Sequence, residues 1–157
     1  MTKLKQYKMF IDGEWVDSDT KKIFQTLNPE NNEPWAEVPE AGEKDVDKAV
    51  KAAQKAFEGK WPNLFPRERA KYLKAIANQL RENAELLGKI ETVDTGKLFK
   101  ETKSQANYIA EYYDYYAGLA DKVEGTVLPI DKPNMQVITT RVPIGVVVAI
   151  IPWNSQM

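Results

Sequence analysis

A chain of 157 residues is long enough for one domain with a real core, and 43% hydrophobic with 29% charged residues is an ordinary globular balance. A formal net charge of -1, from 22 basic and 23 acidic residues, argues against a nucleic-acid partner, which calls for a basic excess or a basic face. The absence of Cys and His excludes disulfides, a thiolate nucleophile, Cys-ligated zinc and the commonest general base, so no hydrolase triad can form around Ser18, Ser104 or Ser155. Composition therefore argues against a self-contained enzyme.

The N-terminal stretch "MTKLKQYKMFIDGEW" has lysines but no apolar signal region. With no apolar run long enough to cross a bilayer, a cytosolic protein without a membrane partner is expected. In "KMFIDGEWVD", Asp12-Gly13 lies between two apolar-aromatic runs and can supply the positive φ angles of a tight turn, so a β-hairpin is predicted. "KIFQTL" and "PWAEVPE" flank the turn-rich "NPENNE" and predict a second antiparallel pair.

Gly42 opens a helix over "EKDVDKAVKAAQKAFEG", whose Val46, Ala49, Val50, Ala53, Ala56 and Phe57 share one face. Acidic residues fill its first turn, and Gly59 stands where a C-cap belongs. Pro66 suits the first position of a second helix, with the face Ala70, Leu73, Ile76, Ala77 and Leu80. Asn83 can cap a third, through Leu86, Leu87, Ile90 and Val93, closing at Gly96. A fourth helix, roughly 102–121, carries Ile109, Tyr112, Tyr113, Tyr116 and Ala120 on one side, with Tyr108 and Tyr115 on the other. No Lys or Arg is interleaved with these tyrosines, so packing between helices or subunits is the expected role and not base stacking.

Beyond Gly125 the texture changes. "MQVITTRV" alternates as a half-exposed strand should, over 135–142, and "VVVAII", about 145–151, has the continuous apolar run of a parallel strand buried on both faces. A parallel strand needs neighbours reached through crossover helices, and these residues leave no room for them. The expectation is that the chain is the front part of something longer. In open parallel sheets, ligands bind beyond the carboxyl ends of the strands. "PWNSQ" holds that place, so Asn154 reads either as a helix N-cap or as an amide donor aimed at a developing oxyanion.

Taken together, "FIDGEWVDS", "TLNPEN", "DVDKAVKAAQKAF", "ETVDTGK", "YYAGLADKVEG" and "PIGVVVAIIPWNSQ" resemble, in order and spacing, the NAD(P)-dependent aldehyde dehydrogenase superfamily, most closely its betaine-aldehyde, retinal and general aldehyde group. The resemblance implies an α/β fold: the N-terminal portion of the cofactor-binding domain, with short antiparallel strands, four helices, an interface strand and the first parallel strand. Residues 1–132 would belong to the cofactor domain, 133–144 to an oligomerisation arm, and 145–157 to the first strand of the dinucleotide-binding sheet with its active-site tip.

By the same resemblance Ile151, Pro152 and Trp153 would line a cleft for NAD or NADP, and Asn154 would be the side-chain half of an oxyanion hole. Thr26, Leu27 and Asp94 would hold a monovalent cation, against the plain alternative of Asp94 as a helix-end carboxylate. The complete enzyme would attack an aldehyde with a thiolate, transfer hydride to the nicotinamide and hydrolyse the thioester. The catalytic Cys, the general-base Glu and the glycine-rich cofactor loop would lie beyond Met157, leaving this chain inactive alone. A homo-dimer or homo-tetramer is implied for the complete protein. The rival expectation is a non-catalytic interaction module that associates with full-length oligomers.

Overall fold

Asp12 and Gly13 both take positive φ, 51° and 85°, in the computed structural model, which describes residues 4–154, 156 and 157. That is the geometry of a tight hairpin turn. It joins β2 (Met9–Ile11) to β3 (Glu14–Val16), with Phe10 opposite Trp15. The second pair also forms as expected: β4 (Ile23–Asn28) lies antiparallel to β5 (Glu33–Pro39). A short strand that the sequence did not suggest, β1 (Lys5–Gln6), adds to β5 in parallel and gives the order β1-β5-β4.

The β4–β5 register is irregular at one point. Thr26 pairs with Ala36 and Leu27 with Pro34, so Trp35 is an extra residue with no partner across the ladder. An extra residue of this kind bends a strand and re-aims its side chain.

Among the described residues there are four α-helices, α1 (Glu43–Glu58), α2 (Pro66–Glu82), α3 (Ala84–Thr95) and α4 (Phe99–Leu119). No helix among them is long and apolar enough to cross a membrane. Their ends follow local chemistry. Pro66 begins α2, and the Glu68 carboxylate accepts a 2.8 Å hydrogen bond from the Phe65 N–H. Gly96 ends α3 at φ 75°, its N–H bonded to the Thr92 carbonyl. Asn83 departs from expectation: its side-chain amide donates back to the Gln79 carbonyl at 2.9 Å and makes no cap bond to α3. It closes α2 instead.

Asp45 is the buried anchor of α1, only 2% exposed. Its carboxylate accepts the Gly42 N–H at 3.0 Å and the Asp19 N–H at 3.1 Å, tying the helix start to the loop after β3. Those backbone donors, with Lys48 adding a little, hold its carboxyl below the ordinary value of 3.8. A folded-state pKa that is lowered adds stability above the ordinary value, and that stability is lost as pH falls through the lower folded value. Asp45→Asn should therefore melt at a lower temperature at neutral pH, and the gap should close below 3.8. Thermal melts of both proteins across an acid series measure this; a gap that stays constant into the acid range refutes it.

Helices α2, α3 and α4 pack together, and the buried line of α4 is small: Thr102, Ala106, Ala110 and Ala117. The expected face of Tyr112 and Tyr116 is 49% and 57% exposed, so the inward stripe is rotated toward the alanines. Small residues let the backbones come close, and Gly88 shows how close. A Cβ at Gly88 would lie 2.8 Å from the Lys103 backbone nitrogen. Here the Thr102 hydroxyl bonds the Gly88 carbonyl and the Thr92 hydroxyl, both at 2.9 Å.

The apolar face of α1 is largely open, with Val46 56% and Val50 41% exposed. The last strands also differ from expectation. Only β7 (Val137–Ile138) forms within 135–142, paired with β6 (Val127–Leu128), and residues 139–150 carry no strand. Strand hydrogen bonds require a neighbour, and among the described residues none lies beside "VVVAII".

Candidate functional site

Two segments of the sequence meet where the sheet touches the end of α3. The Thr26 hydroxyl donates to Asp94 Oδ1 at 2.7 Å, and the Trp35 indole N–H reaches the same oxygen at 3.2 Å. The β-bulge that removes Trp35 from the ladder accounts for its reach. Nearby, Gly96 sits against the turn after β4, where a Cβ would be 3.0 Å from Pro29 Cγ. Positive φ and this contact both call for glycine. The loop after α3 is fastened by Lys97, whose Nζ is 2.9 Å from the carboxylate of Glu91, itself 2% exposed.

The third partner of Asp94 comes from the C-terminal tip. Gln156 Nε2 donates to Asp94 Oδ2 at 2.6 Å. One carboxylate thus accepts from three donors, separated from it by 68, 59 and 62 positions in sequence. A carboxylate offers about four lone-pair positions, so these donors occupy most of its capacity. A cation needs oxygens facing it, and the side chains around Asp94 present hydrogens. Arranged this way the carboxylate keeps about one free acceptor position, and the backbone oxygens of Thr26 and Leu27 would have to supply the rest of a cation's shell. Among the described residues no group of three or more acidic, His or Cys side chains gathers.

Ile151, Pro152, Trp153 and Asn154 follow the apolar segment and are all exposed, with Trp153 at 80%. Trp153 and Asn154 lie in a turn, and no helix follows Asn154 among the described residues. Residues 151–153 bear no charged side chain, so a dinucleotide would meet backbone and apolar surface there. Sequence reasoning brought Thr26 and Asp94 to one place but did not find Trp35 or Gln156. Nothing in the sequence marks a bulge at Trp35, and a lone glutamine carries no motif.

Comparison with known proteins follows the same outline. The sequence profile described as the aldehyde dehydrogenase family matches residues 15–157. The chain is 46% identical over 155 residues to a (Z)-2-((N-methylformamido)methylene)-5-hydroxybutyrolactone dehydrogenase of Acinetobacter baylyi, covering 98% of this chain and 31% of that protein. It is 42% identical to the betaine aldehyde dehydrogenase of Bacillus subtilis, over 93% of this chain and 30% of that one. In structure it is similar to a betaine aldehyde dehydrogenase double mutant from Staphylococcus aureus solved with NAD+, at TM-score 0.87 and 38% identity, across 94% of this chain and 30% of the other. The chain therefore spans about 30% of the length of these relatives. Sequence and fold agree along nearly its whole extent, and the chain belongs to the aldehyde dehydrogenase family.

Proposed function

We propose that this chain is the N-terminal segment of an enzyme that oxidises an aldehyde to a carboxylic acid with NAD or NADP. The observation that carries the reading is the family match from residue 15 through residue 157, beside similarity over more than nine-tenths of the chain to proteins named as dehydrogenases, one of them solved with NAD+. In this reading the Asn154 amide donates to the aldehyde oxygen as it becomes an alkoxide, and residues 151–153 form one wall of the cofactor cleft. The dinucleotide, when bound, accepts the hydride. The chain contains no Cys, so the thiolate is supplied from outside these residues and the 157 residues alone do not turn over aldehyde. Residues 133–144 serve as an arm between subunits of a homo-dimer or homo-tetramer.

The test is aldehyde-dependent reduction of NAD+ or NADP+, followed by ultraviolet absorbance, in a longer polypeptide that carries this chain. Turnover there and none by the 157 residues alone is the expected result. Absence of turnover across simple aliphatic, aromatic and trimethylammonio aldehydes would sink the reading. The second reading, a non-catalytic module, draws on the open apolar segment, where Ile144 and Ile150 are 92% and 90% exposed. Exchange of the isolated chain into assembled full-length oligomers, in a mixing experiment, favours that alternative.

The cation at Thr26, Leu27 and Asp94 is a separate proposal. The donors around the carboxylate weigh against it.

A further inference from the structure

Among the described residues the Asn154 tip has no strand beside it and little burial, yet an oxyanion donor must be held in one direction. Electrostatic stabilisation works because the donor is fixed before charge develops, and a misplacement of about 1 Å can cost on the order of 100-fold in rate. Asp94 is the group that meets this need. It stands at the end of α3, next to the Gly96 turn and the Glu91–Lys97 ion pair, and Thr26 and Trp35 grip one of its oxygens. The other oxygen holds Gln156, two residues beyond Asn154, at 2.6 Å. A hydrogen bond to an ionised acceptor is about twice as strong as a neutral one.

We propose that Asp94 is a positioning residue: its carboxylate latches Gln156 to the Thr26–Trp35 corner of the sheet and so fixes the direction of the Asn154 amide. The role in turnover rests on the oxyanion reading of Asn154 given above. The latch itself rests on the three contacts to one carboxylate.

The experiment uses an active polypeptide carrying this chain and compares Gln156→Ala, Asn154→Ala and the double variant. Gln156 is exposed, so its loss should leave folding intact. Gln156→Ala should lower kcat about tenfold with KM little changed, and should add no further loss in the Asn154→Ala background, because coupled groups are not additive. Gln156→Glu replaces the donor with a second carboxylate facing Asp94, so its deficit in kcat at neutral pH should exceed that of the alanine variant. In NMR spectra the Trp35 indole N–H signal, assigned with Trp35→Phe, should move in Gln156→Ala, since both donors share Asp94.

Normal kcat in Gln156→Ala beside a large loss in Asn154→Ala overturns the latch and leaves the oxyanion reading standing. Normal kcat in Asn154→Ala removes the oxyanion reading, and the positioning role falls with it. A Trp35 signal that ignores Gln156→Ala but moves when sodium replaces potassium overturns the latch in favour of a bound cation.

Discussion

Asn154→Ala, in an active polypeptide carrying this chain, should lower kcat by about 10²–10³ while KM and cofactor affinity stay near their original values. The asymmetry follows from when the hydrogen bond matters. A ground-state aldehyde oxygen carries partial charge and binds the amide weakly; the alkoxide of the tetrahedral state carries a full charge and binds it strongly. Removing the donor therefore raises the barrier more than it weakens binding, by roughly 3–4 kcal/mol. The fold should hardly notice. Asn154 is exposed, and substitutions at such positions usually change stability by no more than about 0.5 kcal/mol. A helix-cap role predicts the reverse pattern, a loss of about 1 kcal/mol in stability and modest kinetic damage. Measuring the melt and kcat on the same preparation separates the two. A destabilised variant with near-normal turnover would end the oxyanion assignment.

Gly88→Ala should destabilise the helical unit, although helix propensity alone argues the opposite. In a helix interior alanine is favoured over glycine by about 1 kcal/mol. At Gly88, however, the new Cβ would stand 2.8 Å from the backbone nitrogen and 2.9 Å from the Cα of Lys103. Backbone atoms cannot rotate away as a side chain can, so α3 and α4 must separate, which breaks the Thr102 hydrogen bonds and loosens the alanine seam. Overpacking of this kind costs about 1–3 kcal/mol, enough to outweigh the propensity gain, and Gly88→Val should cost more. Gly118, in α4, is the control. A Cβ there meets nothing within 4 Å, so Gly118→Ala should gain roughly 0.5–1 kcal/mol. For a chain of this size each kcal/mol moves Tm by about 2–4 °C, so thermal melts resolve both signs. A gain in stability for Gly88→Ala as well as for Gly118→Ala would show that the close helix contact at Gly88 is not limiting.

Local chemistry was legible in the sequence because it depends only on neighbours along the chain. Asp12-Gly13 makes its turn through positive φ at two adjacent residues, Pro66 begins α2, and Gly96 ends α3 in the left-handed conformation that glycine takes without strain. Helical periodicity placed the four helices for the same reason. The meeting of the "TLNP" turn with the "DTGK" loop was legible only through family resemblance, since nothing local to either segment points at the other.

Tertiary structure decided what required a partner distant in sequence. Periodicity put Tyr112 and Tyr116 on an apolar face, but α3 and α2 approach α4 along Ala106, Ala110 and Ala117, because only small side chains allow backbones that close. Asn83 is a local exception: it has the composition of an N-cap and closes α2 instead, because its amide finds the Gln79 carbonyl four residues back. Trp35 leaves its strand ladder through a register shift, and its indole reaches Asp94, as does the amide of Gln156. The apolar run "VVVAII" fixes a preference for burial, whereas a strand forms only where a second strand supplies the hydrogen bonds.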